Sequence, residues 1–376
     1  MESRLARTTC YFADGHDGFD RDGFAHDGFA HDGFDRDGVA RTADAAHAGR
    51  LAASDAGYFA DGFLRCFAGA AGLRRSPGAM INRGTFARLA AIGSACEQFL
   101  DACAAAGSPA QVVSLGAGLD TRWWALHALG RQPRLWVEVD QEEVVRRKAL
   151  AIGRDAALHG ALPEGAAAAS LERGAVSSAA GYQLRAADLR DVSALEAALA
   201  DAGWRPAEPT LVLAECVLVY LPPEAAAAVV ALFGGAPGGG ALAVYEQIGP
   251  DDPFGRTMVD NLRRRNCALL GLAACPSCAA QEARARAAGY SRAEAVPVLE
   301  YYEAAVSADE RRRVERLELL DELEEWRLLL SHYAVALAVR DGRGGADAPL
   351  GALSLRAPVA RLFPPPPARG ADPPPS

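Results

Sequence analysis

The sequence predicts an α/β protein with a doubly wound, mostly parallel sheet covered by helices on both faces. Three observations predict it. Short apolar runs alternate with helical segments between Gln111 and Arg340. The first run feeds a glycine turn, QVVSLGAGLD from Gln111 to Asp120, where a helix can begin. Later runs carry acids at or near their ends, LWVEVD at Asp140 and TLVLAECVLVYL at Glu215.

At 376 residues, half of them apolar, the chain can bury a sizeable core as one large domain or two. A net charge of −9 argues against a general nucleic-acid or anionic-membrane surface, because those contacts depend on clustered Lys and Arg. No apolar run approaches the roughly 20 residues that span a bilayer, and the amino terminus lacks a signal-peptide core. The chain reads as cytoplasmic, with the nucleus also open to it, and as a monomer. Eight cysteines in so long a chain read as reduced thiols. Cys275 and Cys278 form a CPSC pair without the second pair a zinc site requires, so no metal site is expected.

Taken in order, residues 1–38 hold a low-complexity repeat of DGF in five-residue units from Asp14 to Gly38, with His16, His26 and His31 between them. So little of it is apolar that disorder is expected. Residues 39–343 form the folded part. Val39 to Leu100 reads as a helical cap with a turn at Arg75 to Gly78. The strands follow: Val112 to Leu115, LWVEVD, YQLRAADL, TLVLAECVLVYL and, after a Gly-rich turn at Gly234 to Gly240, ALAVYEQI. Ser193 to Ala202 is a crossover helix. A helical insertion near 251–288 interrupts the alternation, and a long helix is expected from Glu310 to Leu330, with Val314, Leu317, Leu320 and Leu323 at helical spacing. HYAVALAVR closes the sheet. Residues 344–376 make a Pro-rich tail, with PPPP and PPP between Phe363 and Ser376, expected to be disordered.

The glycine turn lacks the third glycine of GxGxxG, and Thr121 stands in its place, which disfavours pyrophosphate. Asp140 lies about twenty residues past the turn, where an acid accepts hydrogen bonds from both ribose hydroxyls. Asp188 and Leu189 follow the third strand, and Glu215 sits near the end of the fourth. This layout matches a class I S-adenosylmethionine site. The ligand is a cationic sulfonium without phosphate, which acids and backbone groups suit better than a basic cradle.

With these pieces placed, the chain resembles the leucine carboxyl methyltransferases, which methylate the terminal carboxylate of the type 2A protein phosphatase catalytic subunit. The resemblance is carried by INRGTFAR, VVSLGAGLDTRWW, VEVDQEEVVRRK, AADLRDVSALE, PTLVLAECVLVYL, YEQIGPDDPFGRTMVDNLRRRNC and LELLDELEEW. It implies the class I S-adenosylmethionine-dependent methyltransferase fold with a helical cap, and a C-terminal leucine methyl ester as product. It further implies that Arg83 in INRG, with a basic residue upstream, holds the carboxylate of the cofactor's amino acid end. The family usually has Lys at that upstream place, and Arg50 is the match here. Gly116 and Gly118 would approach the cofactor, Asp140 the ribose, Asp188 and Leu189 the adenine, and Glu215 the amino group.

A C-terminal carboxylate has a pKa of about 3.3–3.7 and requires no general base at neutral pH. Catalysis by proximity is expected, with an acceptor clamp drawn from Tyr220, Tyr245, Arg263, Arg264 and Arg265. Adjacent helical residues point different ways, so the three arginines cannot all take part. The alternative is a related O-methyltransferase acting on a small-molecule carboxylic acid or a modified tRNA base. The tRNA-modifying relatives carry a kelch-like array, and nothing here repeats at about 50 residues.

Overall fold

The computed structural model describes residues 36–68, 77–162, 175–342, 350–359 and 363–366. The repeat up to residue 35 lies outside the described residues. Three helices come first, α1 (Arg36–Asp55), α2 (Leu64–Phe67) and α3 (Ala79–Ala105). The alternating part follows with β1 (Gln111–Leu115), α4 (Arg122–Ala128), β2 (Leu135–Asp140), α5 (Glu142–Arg154), α6 (Ala156–Gly160), β3 (Val176–Ser177) and β4 (Tyr182–Ala186). Next are α7 (Val192–Asp201), β5 (Thr210–Glu215), a 3₁₀ turn at Leu218–Tyr220, α8 (Pro223–Gly234) and β6 (Gly240–Gln247). The chain continues through α9 (Pro253–Arg263), α10 (Cys278–Ala287), β7 (Arg292–Pro297), α11 (Val298–Ala305), α12 (Ala308–Glu315), α13 (Leu323–Ser331) and β8 (Tyr333–Arg340).

The strands form one sheet in the order β3-β4-β2-β1-β5-β6-β8-β7. β4, β2, β1, β5 and β6 run parallel, while β8 is antiparallel to both β6 and β7. β1 lies between β2 and β5, so the chain reverses its direction of travel across the sheet there. In open α/β sheets, ligands bind at that reversal, outside the carboxyl ends of the strands.

Side chains alternate across the strands, as the two-residue period requires. Val112, Trp136, Leu211, Leu213 and Tyr245 share one core with α3, α5, α11 and α13. Val113, Val137, Val212, Leu242 and Val244 share the other with α7, α8 and α10. Because both faces are covered, β1 is buried along its whole length, its polar Gln111 and Ser114 included. The architecture is the doubly wound, mostly parallel α/β sheet expected from the sequence, with an antiparallel pair added at one edge. Among the described residues no helix is long and apolar enough to cross a membrane.

Three sequence expectations change. The helix expected from Glu310 to Leu330 is two helices, α12 and α13, with an irregular link at 316–322. Within that link Glu318 accepts a 2.8 Å hydrogen bond from Asn82 of α3. A strand not among those read from the sequence, β7, follows the insertion and pairs with β8, so the sheet has one more strand than expected there. The tail does not lie free at 350–359 and 363–366. Leu350, Leu353 and Leu355 are buried, and Gln98 of α3 bonds Ser354 through both its backbone N–H and its carbonyl. Phe363 packs on Phe59 at 5.8 Å between ring centres, and the Ala60 N–H donates to the Pro364 carbonyl at 2.7 Å.

Candidate functional site

A cavity of about 760 Å³ opens at the carboxyl ends of β4, β2, β1, β5 and β6, closed on one side by α1. Gly116 and Gly118 line it with left-handed backbones, φ of +55° and +52°. A Cβ on Gly116 would sit 2.6 Å from a Val217 methyl, so only glycine fits this turn.

Asp140, at the end of β2, is fixed by two backbone donors. Gly118 N–H reaches one carboxylate oxygen at 2.6 Å and Gln141 N–H the other at 2.7 Å. Burial nevertheless raises its pKa above the ordinary value, since desolvation outweighs the two bonds. Asp188 and Leu189 line the cavity beyond β4, and Arg190 holds the Asp188 carboxylate at 2.8 Å.

On the far side, Glu215 lies between two guanidinium groups, with Arg88 Nε and Arg122 Nη1 each at 2.6 Å. Burial alone would raise its pKa, but Arg122 and then Arg88 overcome it and bring the carboxyl to about 2. Asp120 is likewise held below the carboxylate range against burial by Arg122, Arg50 and Lys148. Thr121, in place of the third glycine, has its hydroxyl 2.7 Å from Arg50 and 2.5 Å from Asp61, so this departure from the glycine pattern ties the turn to α1 and the cap. Arg50 also reaches Asp120 at 3.2 Å. Beneath the turn, Lys148 of α5 pairs with Glu138 at 2.5 Å and donates to the Asp120 carbonyl at 2.7 Å.

The cavity therefore brings together Arg50, Gly116, Gly118, Asp140, Asp188 and Leu189, with Glu215 and Tyr220 at its other end. It does not bring in Arg83. That side chain is buried among α3, α11 and α13, 5.5 Å from the Trp326 ring, and the arginine of the motif that lines the cavity is Arg88. The two lie five positions apart on one helix, about 140° around its axis, so they face different surroundings. Tyr245 also stands outside the cavity lining. Its ring carries the Arg88 guanidinium at 5.1 Å and stacks on Tyr333 at 5.3 Å. Arg263, Arg264 and Arg265 end α9 away from the cavity, the first two exposed. The residues missed from the sequence are Arg88, Arg122 and Asp120. Their signal was present as the second arginine of INRGTFAR and the DTR of GLDTRWW.

These groups fit S-adenosylmethionine. Two carboxylates at the ends of neighbouring strands and a glycine turn without Cβ atoms suit a cationic, phosphate-free ligand, and the arginine beside Glu215 complements a carboxylate next to an ammonium group.

Comparison with known proteins agrees. The family model described as leucine carboxyl methyltransferase matches residues 39–233. The chain is 40% identical to the leucine carboxyl methyltransferase 1 homolog of Arabidopsis thaliana over 81% of its own length and 89% of that protein's. It is 33% identical to leucine carboxyl methyltransferase 1 of Bos taurus, covering 80% and 88%. It is also 38% identical to the tRNA wybutosine-synthesizing protein 4 of Homo sapiens, covering 80% of this chain and 43% of that protein. The chain is a methyltransferase with S-adenosylmethionine as its cofactor, and it belongs to the leucine carboxyl methyltransferase family.

Proposed function

We propose that the chain methylates the C-terminal leucine α-carboxylate of the type 2A protein phosphatase catalytic subunit, giving a methyl ester. One observation carries the acceptor assignment: the Arabidopsis leucine carboxyl methyltransferase homolog is matched at 40% identity across 89% of its length.

S-adenosylmethionine supplies an electrophilic methyl group on a sulfonium. In this reading Asp140 holds the ribose hydroxyls, and Asp188 and Leu189 border the adenine. Glu215 and Arg88 take the ammonium and carboxylate of the amino acid end, with Arg50 bracing the turn from α1. The acceptor carboxylate, with a pKa of about 3.3–3.7, arrives ionised, so no side chain has to remove a proton. The protein's contribution would be to place the acceptor carboxylate oxygen against the cofactor's methyl group, where a near-attack approach requires about 3–3.5 Å. α1 walls one side of the cavity through Ala43, Ala46, His47 and Arg50.

Transfer of labelled methyl to purified phosphatase catalytic subunit, with a subunit lacking the terminal leucine as control, tests the reading. A second reading, methylation of a modified tRNA base, is favoured by the 38% identity to the wybutosine-synthesizing protein. Label on tRNA with none on the phosphatase would select it.

A further inference from the structure

The cavity is longer than the cofactor assignments use. Between the ends of β4 and β6 it crosses four strand spacings, about 19 Å. Asp188 lies at one extreme, Asp140 and Gly116 in the middle, Glu215 at the end of β5, and Gln247 at the end of β6. The cofactor's groups are accounted for as far as Glu215. The β6 end is therefore the acceptor side.

Gln247 is 1% exposed, lines the cavity, and its Oε1 has no hydrogen-bond partner among the described residues. A buried amide oxygen without a partner costs free energy that a native protein does not normally leave uncompensated. Gln247 is the cross-strand partner of Tyr333 on β8, so its side chain stands on the same face of the sheet as that ring. Its neighbour Glu246 points to the opposite face of the sheet and is fully occupied. It accepts from Val219 N–H at 2.8 Å and from Gln281 and Arg284 at 3.2 Å. On the same face as Gln247, two residues earlier, the buried Tyr245 hydroxyl also has no partner among the described residues, but Tyr245 does not line the cavity and Gln247 does.

We infer that Gln247 is a specificity-determining residue for the acceptor: its Oε1 accepts a hydrogen bond from the backbone N–H of the residue whose α-carboxylate is methylated. This rests on the acceptor being a peptide C-terminus. The α-carboxylate of a C-terminal leucine has a backbone N–H two bonds away, whereas a simple aliphatic acid or a C-terminal proline has none. A site with a fixed buried acceptor rejects an analogue lacking the donor, because the oxygen is then desolvated and unpaired.

The test uses semisynthetic phosphatase catalytic subunit ending either in leucine or in the corresponding 2-hydroxy acid, which replaces that one N–H by an ester oxygen. Methyl incorporation is followed by mass spectrometry with wild-type enzyme and with Gln247→Leu. Wild type is expected to prefer the amide form about 5- to 100-fold in kcat/KM. Gln247→Leu is expected to lose activity on the amide form by a similar factor and to treat the two substrates alike, with S-adenosylmethionine affinity by calorimetry within about twofold of wild type. Equal rates of wild type on both substrates would overturn the inference, and so would an undiminished preference in Gln247→Leu. A collapse of cofactor affinity in that variant would also overturn it, by moving Gln247 to the cofactor side. If Gln247→Leu does not fold, the wild-type comparison alone still decides. Failure of wild type to methylate either substrate would instead defeat the acceptor assignment itself, a distinct result.

Discussion

Arg88 of α3 and Glu215 of β5 meet at 2.6 Å across the wall of the cavity, 127 residues apart in the chain. Glu215 keeps a second guanidinium, Arg122, at the same distance, so the pair can open toward a ligand without stranding the carboxylate. A cofactor that ends in an ammonium beside a carboxylate finds a complementary charge for each.

Arg88→Ala should therefore weaken S-adenosylmethionine binding by roughly 10- to 150-fold, the worth of a charge-assisted contact, with the fold intact. Arg83→Ala should leave affinity within about threefold while lowering stability by about 1–2 kcal/mol, through the lost packing on Trp326. Calorimetry and denaturant unfolding on both variants separate the two, and the reverse pattern would restore Arg83 to the site.

Asp140→Ala should weaken the cofactor by roughly 10- to 100-fold, since it removes the ribose acceptor and frees the Gly118 N–H that shapes the turn. Unchanged calorimetric affinity would remove the ribose assignment.

How much of this was legible in the sequence differs by element. Both sheet faces are covered, so the central strands read as apolar runs, and their ends are marked by glycine or acid. β7 was not visible because RAEAVP mixes small, charged and proline residues, as an edge strand with only Ala293 buried can tolerate. The break before Leu323 was hidden because LELLDELEEW keeps a helical pattern through it. Burial, with Leu320 inside and Leu319 exposed, is a tertiary decision. In INRGTFAR the composition offers two arginines, and only the phase of α3 around its axis tells which one faces the cavity.

His47, on α1 at the cavity, has its pKa pushed down to about 4 by burial and by the Arg50 and Lys148 charges. The folded state thus binds this proton less readily than the unfolded chain, whose imidazole titrates near 6.5. The His47 contribution to stability should be constant above about pH 6.5 and fall as pH drops from there toward 4, by up to about 1.4 kcal/mol per pH unit, against an opposite contribution from Glu138, whose buried carboxyl is pushed up to about 7. Hydrogen exchange across α1 at pH 7.5 and 5.5, for wild type and His47→Leu, checks this. Equal acid sensitivity in both proteins would assign the effect to another group.

Phe363 sits between Phe59 and the Arg50 guanidinium, 5.7 Å from its ring. Removing residues 360–376 should lower stability by about 1–3 kcal/mol and weaken cofactor binding several-fold, because Arg50 loses one of its supports. Phe363→Ala should reproduce most of both effects, as read by thermal unfolding and calorimetry. A truncated chain with unaltered affinity would confine the tail to a packing role.

The most direct test of the central claim is transfer of labelled methyl from S-adenosylmethionine to purified type 2A phosphatase catalytic subunit, run beside a subunit without its terminal leucine. The account predicts label only on the intact tail, released by mild alkaline ester hydrolysis. No label on the phosphatase, from enzyme that still binds the cofactor, would contradict it.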